Sequence, residues 1–270
     1  MGRFVIVTFG KTEAMPLRIS SDTEINVVLK GKPPINKPLK DLRMLFHAYS
    51  ASTRFQTEHA IANKAWADKY GITSVADIAK KKPPMKVAVN RPGNLDGDVG
   101  LAVLSTNGVT QDDIKKWGGQ VVRAASQEIT SLMLDRRIDV AVLGLSIGHP
   151  RIREMEAGLG LILLPFSEAS AKKITEDLGG KTCTIKAGEY KFLATDTASV
   201  CVGVSVFVRA DMDEQLAYNV TKGVVENLDK YKASHRLLDK AVTLQNFTEP
   251  GATAFHPGAE KYLREKGLLK

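Results

Sequence analysis

Short apolar, β-branched runs alternate with longer amphipathic runs along most of the chain, the pattern of a parallel or mixed sheet with helices on its faces. Residues 42–49 (LRMLFHAY) and 55–62 read as strands. Residues 74–82 read as a short helix, with Ser74 as N-cap and Asp77 three residues later in capping-box position. A strand over 86–89 runs through the loop NRPGNLDG into a helix that ends near Thr106. A helix over 112–116 and a strand over 120–124 come next. On a helix over 128–136, Ile129, Leu132 and Met133 form one apolar stripe, closed by Asp135, Arg136 and Arg137. A strand over 138–143 follows, and Pro150 opens the next helix, as proline does at a first helical position. Residues 159–164 read as a buried strand, and 167–178 as a helix terminated by Gly179-Gly180. Residues 199–208 are a long apolar run rich in valine, with helices over 214–230 and 257–266 behind it.

This alternation predicts an α/β fold in two lobes. Residues 63–195 complete several strand–helix units and form one lobe. Residues 1–59 and 205–270 do not close as units alone and build the other, discontinuous lobe. The segments 55–62 and 196–203 are the expected crossover strands. A cleft between two such lobes is a common place for a small ligand.

Composition narrows the function. The 270 residues carry a net charge of +8, which permits binding to nucleic acid or to an anionic membrane surface. The basic residues look scattered, however, and the one tight run, Lys80-Lys81-Lys82 before Pro83-Pro84, reads as a solvated helix end. Nucleic acid is not an expected partner. Cys183 and Cys201 make neither a metal spacing nor a CxxC pair; a disulfide is open to them in an oxidising compartment, and two buried free thiols is the preferred reading. No apolar run is long enough to span a bilayer, and residues 4–7 are too short for the core of a signal peptide.

Catalysis and cofactors find little support. Gly10-Lys11-Thr12 and Gly180-Lys181-Thr182 both lack the earlier glycine that a phosphate-cradling loop needs, since Val5 and Thr175 stand there. The five histidines make no HxxxH or HExxH pair, so neither a metal nor another cofactor is expected. His149 and His256 each precede a proline, which places both in turns that lead into helices. No GxSxG elbow surrounds a serine, and neither cysteine has a basic neighbour. The chain is read as a binding protein rather than an enzyme.

Three strand-to-helix turns rich in small polar residues are the candidate ligand contacts, because ligands of open α/β sheets bind outside the carboxyl ends of the strands. The first is the loop holding Arg91, Gly93, Asn94, Leu95 and Asp96. Its helix is expected to offer backbone N–H groups to a carboxylate, with Asp96 facing any ammonium group. The plain alternative is that Asn94 or Asp96 only caps the helix. The second is the turn around Ser146, and the third holds Ser21 and Asp22; Tyr49, closing the strand over 42–49, joins them as a hydrogen-bond donor.

Several of these segments also resemble the TAXI family, the extracytoplasmic solute receptors of TRAP transporters. The resemblance rests on DLRMLF (41–46), on Arg91 to Asp96, on GHPR (148–151), on the valine-rich segment that begins at Ser199, and on the terminal HPGAEKYLREKG (256–267). It implies a periplasmic-binding-protein type II fold and a periplasmic location. It also implies a small organic anion or amino acid as ligand and TRAP membrane subunits as partners. One departure stands out. The family's first strand and helix, with a GSTGGxYYP-like segment, have no counterpart here, so the N-terminal lobe is expected to be incomplete. A truncated remnant without ligand binding, or an enzyme on the same fold, remain the alternatives.

Overall fold

The computed structural model describes residues 18–31, 37–92, 94–234 and 236–269. In chain order the elements begin with β1 (Arg18–Ser21), α1 (Asp22–Lys30), β2 (Leu42–Tyr49), β3 (Thr57–Asn63), α2 (Lys64–Tyr70), α3 (Val75–Lys81) and β4 (Lys86–Val89). Next come α4 (Leu95–Thr106), α5 (Gln111–Lys116), β5 (Gln120–Arg123), α6 (Ser126–Leu134), β6 (Val140–Leu145), α7 (Pro150–Gly158) and β7 (Leu161–Leu163). They continue with α8 (Glu168–Leu178), β8 (Lys181–Ile185), β9 (Thr197–Cys201), β10 (Val204–Arg209) and α9 (Glu214–Val225). The last are α10 (Leu228–Ala233), α11 (Arg236–Ala241), α12 (Leu244–Phe247) and α13 (Pro257–Glu265). The fold is mixed α/β with two sheets.

The chain divides into two compact units. One comprises the chain up to Phe55, Leu178–Gly180 and the chain from Val202; the other comprises Gln56–Asp177 and Lys181–Cys201. Both segments expected as crossovers therefore fall largely inside the second unit, as β3 and β9.

The first unit holds a three-stranded antiparallel sheet in the order β1-β10-β2. Both faces of β10 are covered: Val206 and Val208 pack with Ala217, Phe247 and Ala259, while Phe207 packs with Ile25, Val28 and Met44. A strand buried on two sides reads as a continuous apolar run rather than an alternation. A register shift between Val206 and Phe207 leaves Leu45 unpaired between Phe46 and Met44, so Leu45 and Phe46 lie in one cluster despite being adjacent.

The second unit holds a seven-stranded sheet in the order β5-β4-β6-β3-β9-β8, with β7 also paired to β3. Strands β5, β4 and β6 are parallel, and β3 runs antiparallel to β6. The apolar stripe of α6 does what its spacing predicts: Ile129 and Met133 pack with Ile152 and Met155 of α7 over Ala141 and Leu143 of β6. Ser74 caps α3 by accepting from Asp77 N–H at 3.2 Å. The Asp77 carboxylate reaches back to Thr73 N–H and its hydroxyl, one residue before the capping-box position.

The valine-rich run over 199–208 divides between two sheets, broken at Val202-Gly203. The break has a steric cause: Gly203 lies so close to α1 that a Cβ there would stand 2.4 Å from Asp22 Oδ2 and 2.9 Å from Ala51 N. The helix expected over 214–230 is two helices, α9 and α10, parted where Asn227 Nδ2 turns back to donate to Gly223 O at 2.8 Å. The cysteines are not free thiols. Cys183 and Cys201 form a disulfide across the antiparallel pair β8–β9, a pairing of strands that spacing in sequence does not reveal.

Candidate functional site

In the second unit, each of the three parallel strands opens at its carboxyl end into a turn and a helix. β4 leads through Asn90 to α4, β5 through Ala124 to α6, and β6 through Ser146 to α7. The turns are tied together by side chains. Asn90 Nδ2 lies 3.4 Å from Ser126 Oγ at the start of α6, and Arg151 Nε of α7 donates to Gln127 Oε1 of α6 at 3.2 Å.

The two helix starts are finished differently. Asn94 caps α4: its side chain accepts from Asp96 N–H at 3.1 Å and its carbonyl from Gly97 N–H at 2.9 Å. The N–H groups expected to meet a ligand are thus engaged by Asn94 itself, because an asparagine at this position satisfies them locally. At α6 the N-cap is Ala125, which offers no side-chain acceptor. The first turn of that helix keeps its positive dipole end uncapped. Ser146, 7% exposed, has a buried hydroxyl without a hydrogen-bond partner among the described residues.

Beneath these turns lies a pair of acids that the sequence reading did not assemble. Asp96 is turned inward: it is 5% exposed, and its carboxylate accepts from Asn90 Nδ2 at 3.0 Å, from Gln56 Nε2 at 3.5 Å and from Gly144 N–H. Burial pushes its carboxyl up to about 6 against these hydrogen bonds. Glu58 of β3 is 3% exposed, and its Oε1 has no partner among the described residues. Burial first, and the Asp96 charge second, hold the Glu58 carboxyl well above the ordinary range. Gly144 makes room for both, since a Cβ there would sit 2.0 Å from Asp96 Oδ1 and 3.0 Å from Glu58 Oε2. Pairing in β3 puts Glu58 opposite Gly144, a contact across 86 positions that no local motif announces.

A second buried chain of bonds braces the turn after Ser146. Gly148 N–H donates to Tyr190 Oη at 3.1 Å, and Tyr190 O–H to His59 Nε2 at 2.9 Å. His59 Nδ1–H then donates to Thr57 O at 2.7 Å. Burial lowers His59 to about 4 and raises Tyr190 to about 12, so the imidazole accepts and the phenol donates near neutrality. The two residues before proline behave as their spacing predicts: His149 and His256 are N-caps of α7 and α13.

The remaining candidates have local tasks. Arg91 is exposed and lies 3.4 Å from Glu128 Oε2. Leu95 opens α4, and Gly93 lies outside the described residues. In the first unit, Ser21 caps α1 in a full capping box with Glu24. Asp22, 7% exposed, accepts from Ser205 Oγ at 2.8 Å, and Ser205 Oγ in turn accepts from His47 Nδ1 at 2.8 Å. Tyr49 stacks on Phe55 with ring centroids 4.5 Å apart. Gly10-Lys11-Thr12 lies outside the described residues, and Lys181 and Thr182 are the first residues of β8. An open groove of about 660 Å³ runs between α8 and β8, lined by Glu168, Lys172, Thr175, Thr182 and Cys183 and by none of the candidates. Among the described residues no group of three or more acids, histidines or cysteines is placed to hold a metal ion. Nor is any of their helices long and apolar enough to cross a membrane.

The sequence matches the family model described as NMT1-like family over residues 23–267. The chain belongs to the NMT1-like family. Solved structures similar to this NMT1-like chain include MatC from Rhodopseudomonas palustris with bound malate, at 11% identity and a TM-score of 0.49, covering 94% of this chain and 79% of that one. PhnD1 from Prochlorococcus marinus in complex with methylphosphonate matches at 12% identity and a TM-score of 0.47, over 94% and 79% of the two chains. The periplasmic aliphatic sulphonate binding protein SsuA from Escherichia coli matches at 13% identity and a TM-score of 0.42, over 93% of this chain. The NMT1-like chain spans 62% of the length of that protein.

Proposed function

We propose that this NMT1-like protein is a solute-binding receptor of the TAXI type with a type II periplasmic-binding-protein fold. It takes up a small organic anion or amino acid outside the cytoplasm and passes it to the membrane subunits of a TRAP transporter. The observation that carries this reading is the Ser146 hydroxyl, buried without a partner at the carboxyl end of β6, in the turn next to the uncapped start of α6. A hydroxyl and a helix N-terminus together supply donors for a carboxylate or a similar anionic group. Nothing in this arrangement pairs a nucleophile with a base, which favours capture over catalysis. The Cys183–Cys201 disulfide suits an oxidising compartment. Asp96 and Glu58 serve the site from below by fixing the turns, and an ammonium group on the ligand need not meet either carboxylate directly.

Calorimetric titration with glutamate, a panel of other amino acids and dicarboxylates tests the proposal. At least one compound is expected to bind, and Ser146→Ala to weaken it by about tenfold, the value of one hydrogen bond to a charged group. Absence of heat across the panel favours the non-binding remnant. The transporter class is tested separately in proteoliposomes carrying TRAP membrane subunits. Uptake driven by a sodium gradient supports it; uptake that requires ATP replaces TRAP with an ATP-driven system.

A further inference from the structure

We propose that the second unit carries a docking surface for an anionic phospholipid membrane, at the amino ends of β4, β5 and β6. Basic residues that look scattered in sequence meet there. Each of the three connections entering these strands holds consecutive cations: Lys80–Lys82 closing α3, Lys115-Lys116 closing α5, and Arg136-Arg137 just beyond α6. All are exposed. The fold sets the three connections side by side. Gln120 N–H donates to Met85 O at 2.9 Å, joining the end of α5 to the start of β4. Asp139 N–H donates to Lys86 O at 2.8 Å and its carboxylate accepts from Lys86 N–H at 2.8 Å, joining the Arg136-Arg137 turn to the same place. Lys86, itself exposed, sits in the middle.

Two observations separate this pole from ordinary helix endings. A basic residue in a last helical turn complements the helix dipole, and that effect acts on every helix. Single basic residues close other helices too, such as Lys30 of α1, Lys69 of α2 and Lys222 of α9, and the last turn of α6 has none. What sets this pole apart is that three connections bearing consecutive cations meet at one place. The second observation is in the backbone. Lys82 and Arg136 have φ of 52° and 55°, two of the three described non-glycine residues in the left-handed region. Glycine is the least strained residue at such helix-ending positions, and here a lysine and an arginine stand instead. Charge is kept where conformation alone selects against a side chain.

The neighbouring acids offset the charge only in part. Asp77 is bonded to Thr73 and lies 3.9 Å from Lys80, Asp113 is bonded to Thr110 and feels Lys116 and Lys82, Asp139 feels Lys86, and Asp135 precedes Arg136. These acids are outnumbered by Lys80, Lys81, Lys82, Lys86, Lys115, Lys116, Arg136 and Arg137. Lys82, Lys86, Lys115, Lys116, Arg136 and Arg137 make no ion pair among the described residues. The array is spread over three separate connections, which fits a plane of negative charge better than a single acidic side chain. Cations near an anionic leaflet each add attraction without a fixed geometry. The candidate ligand turns lie at the other ends of the same strands, so docking leaves them open.

The test is sedimentation of the full chain with vesicles of phosphatidylcholine alone, or containing about a third phosphatidylglycerol, at low salt. Binding is expected only to the anionic vesicles and is lost as salt rises. The variant Lys82→Glu/Lys116→Glu/Arg137→Glu is expected to weaken binding by about a hundredfold or more. The control Lys172→Glu/Lys173→Glu/Lys222→Glu makes the same change in net charge elsewhere and should lose far less. Lys82→Gly/Arg136→Gly removes two charges while relieving the left-handed backbone, and should bind more weakly though folded by circular dichroism. Equal losses in the pole and control variants overturn the proposal, as does equal binding to neutral vesicles. Tighter binding to a DNA duplex than to the anionic vesicles, abolished by the same pole variant, overturns it in favour of a nucleic-acid surface.

Discussion

Each unit buries an aspartate from the first turn of a helix against a glycine: Asp22 of α1 against Gly203 in the first, Asp96 of α4 against Gly144 in the second. The placements are alike and the company differs. Asp22 is met by the Ser205 hydroxyl, which His47 holds in turn, and Asp22 N–H donates to Gly203 O at 2.9 Å. That set of bonds ties a helix start to two strands and serves as a joint. Asp96 is met by two amide side chains and then by a second acid, Glu58, whose Oε1 has no partner among the described residues. Buried polar atoms left without partners are uncommon, but they do not separate the units, since Thr23 Oγ1 beside Asp22 and Ser50 Oγ are also without one among the described residues. What the second unit has and the Asp22 set lacks is a second buried acid against the first, and that pair is the ground for seeking the ligand site there.

The strongest break of this comparison removes the disulfide that only the second unit contains among the described residues. Closing a loop with a sequence separation of 18 restricts the unfolded chain, and its loss lowers stability by about 3 kcal/mol. In Cys183→Ala/Cys201→Ala, hydrogen exchange should show β8 and β9 losing protection while β1, β2 and β10 keep theirs. Equal loss in β10 would show that the two units open together, and the comparison between them would fail.

The two glycines test the aspartates directly. Gly144→Ala and Gly203→Ala each force a methyl group into occupied space and should cost about 2 kcal/mol by thermal unfolding. They part company in double variants. At position 144 the obstruction is the Asp96 carboxylate, so Asp96→Ala should recover more than half of the Gly144→Ala penalty. At position 203 the Ala51 backbone nitrogen also lies 2.9 Å away, so Asp22→Ala should recover little. Similar recovery at both positions would erase the distinction.

A smaller effect concerns pH. Asp96 and Glu58 hold protons more tightly in the folded chain than in the unfolded one. Their contribution is therefore full below about pH 4 and falls as pH rises, through about 6 for Asp96 and through a range well above that of an ordinary glutamate for Glu58. His47 and His59 are shifted the other way, mainly by burial: His59 lies at about 4, and Asp22 opposes the shift of His47. Their contribution is present above the ordinary histidine value and is lost as pH falls through the acid range. Glu58→Gln should thus gain on the native chain by roughly 1–2 kcal/mol toward about pH 8 and less near pH 5. His47→Asn should change the slope only on the acid side. A Glu58→Gln melting profile parallel to that of the native chain would mean that the acid pair does not hold a proton.

Much of this fold could be read from sequence because local rules set it. Strand β2 spans the residues that its apolar run predicts, α3 begins after Ser74, and the prolines open α7 and α13. The failures share one cause, distance along the chain. The close packing of Gly203 on Asp22 and Ala51 is one case, which the valine-rich run cannot show. Glu58 lies in β3 within the run TEHAIAN, where both faces are buried and no alternation marks a functional side chain. The disulfide and the basic pole likewise depend on which strands become neighbours. Among the candidates, Asn94 was legible as a cap, while the inward turn of Asp96 depended on Asn90, Gln56 and Gly144 meeting around it.

The smallest expected effect on stability is also the sharpest test of the site. Asn94 and Ser146 both lie in turns at the carboxyl ends of parallel strands, but only Asn94 has its side chain engaged, accepting from Asp96 N–H. Asn94→Ala removes a helix cap and should cost about 1 kcal/mol, with little specific change in affinity. Ser146→Ala removes a hydroxyl that bonds to nothing in the chain, so stability should move by less than about 0.5 kcal/mol in either direction. If that hydroxyl is a ligand contact, the same substitution weakens binding of the compound identified by calorimetry by about tenfold. Melting temperature and dissociation constant should therefore separate the two variants in opposite ways. If Ser146→Ala instead lowers the melting temperature as much as Asn94→Ala and leaves the dissociation constant unchanged, Ser146 belongs with Asp22 as a structural group, and the ligand site lies elsewhere.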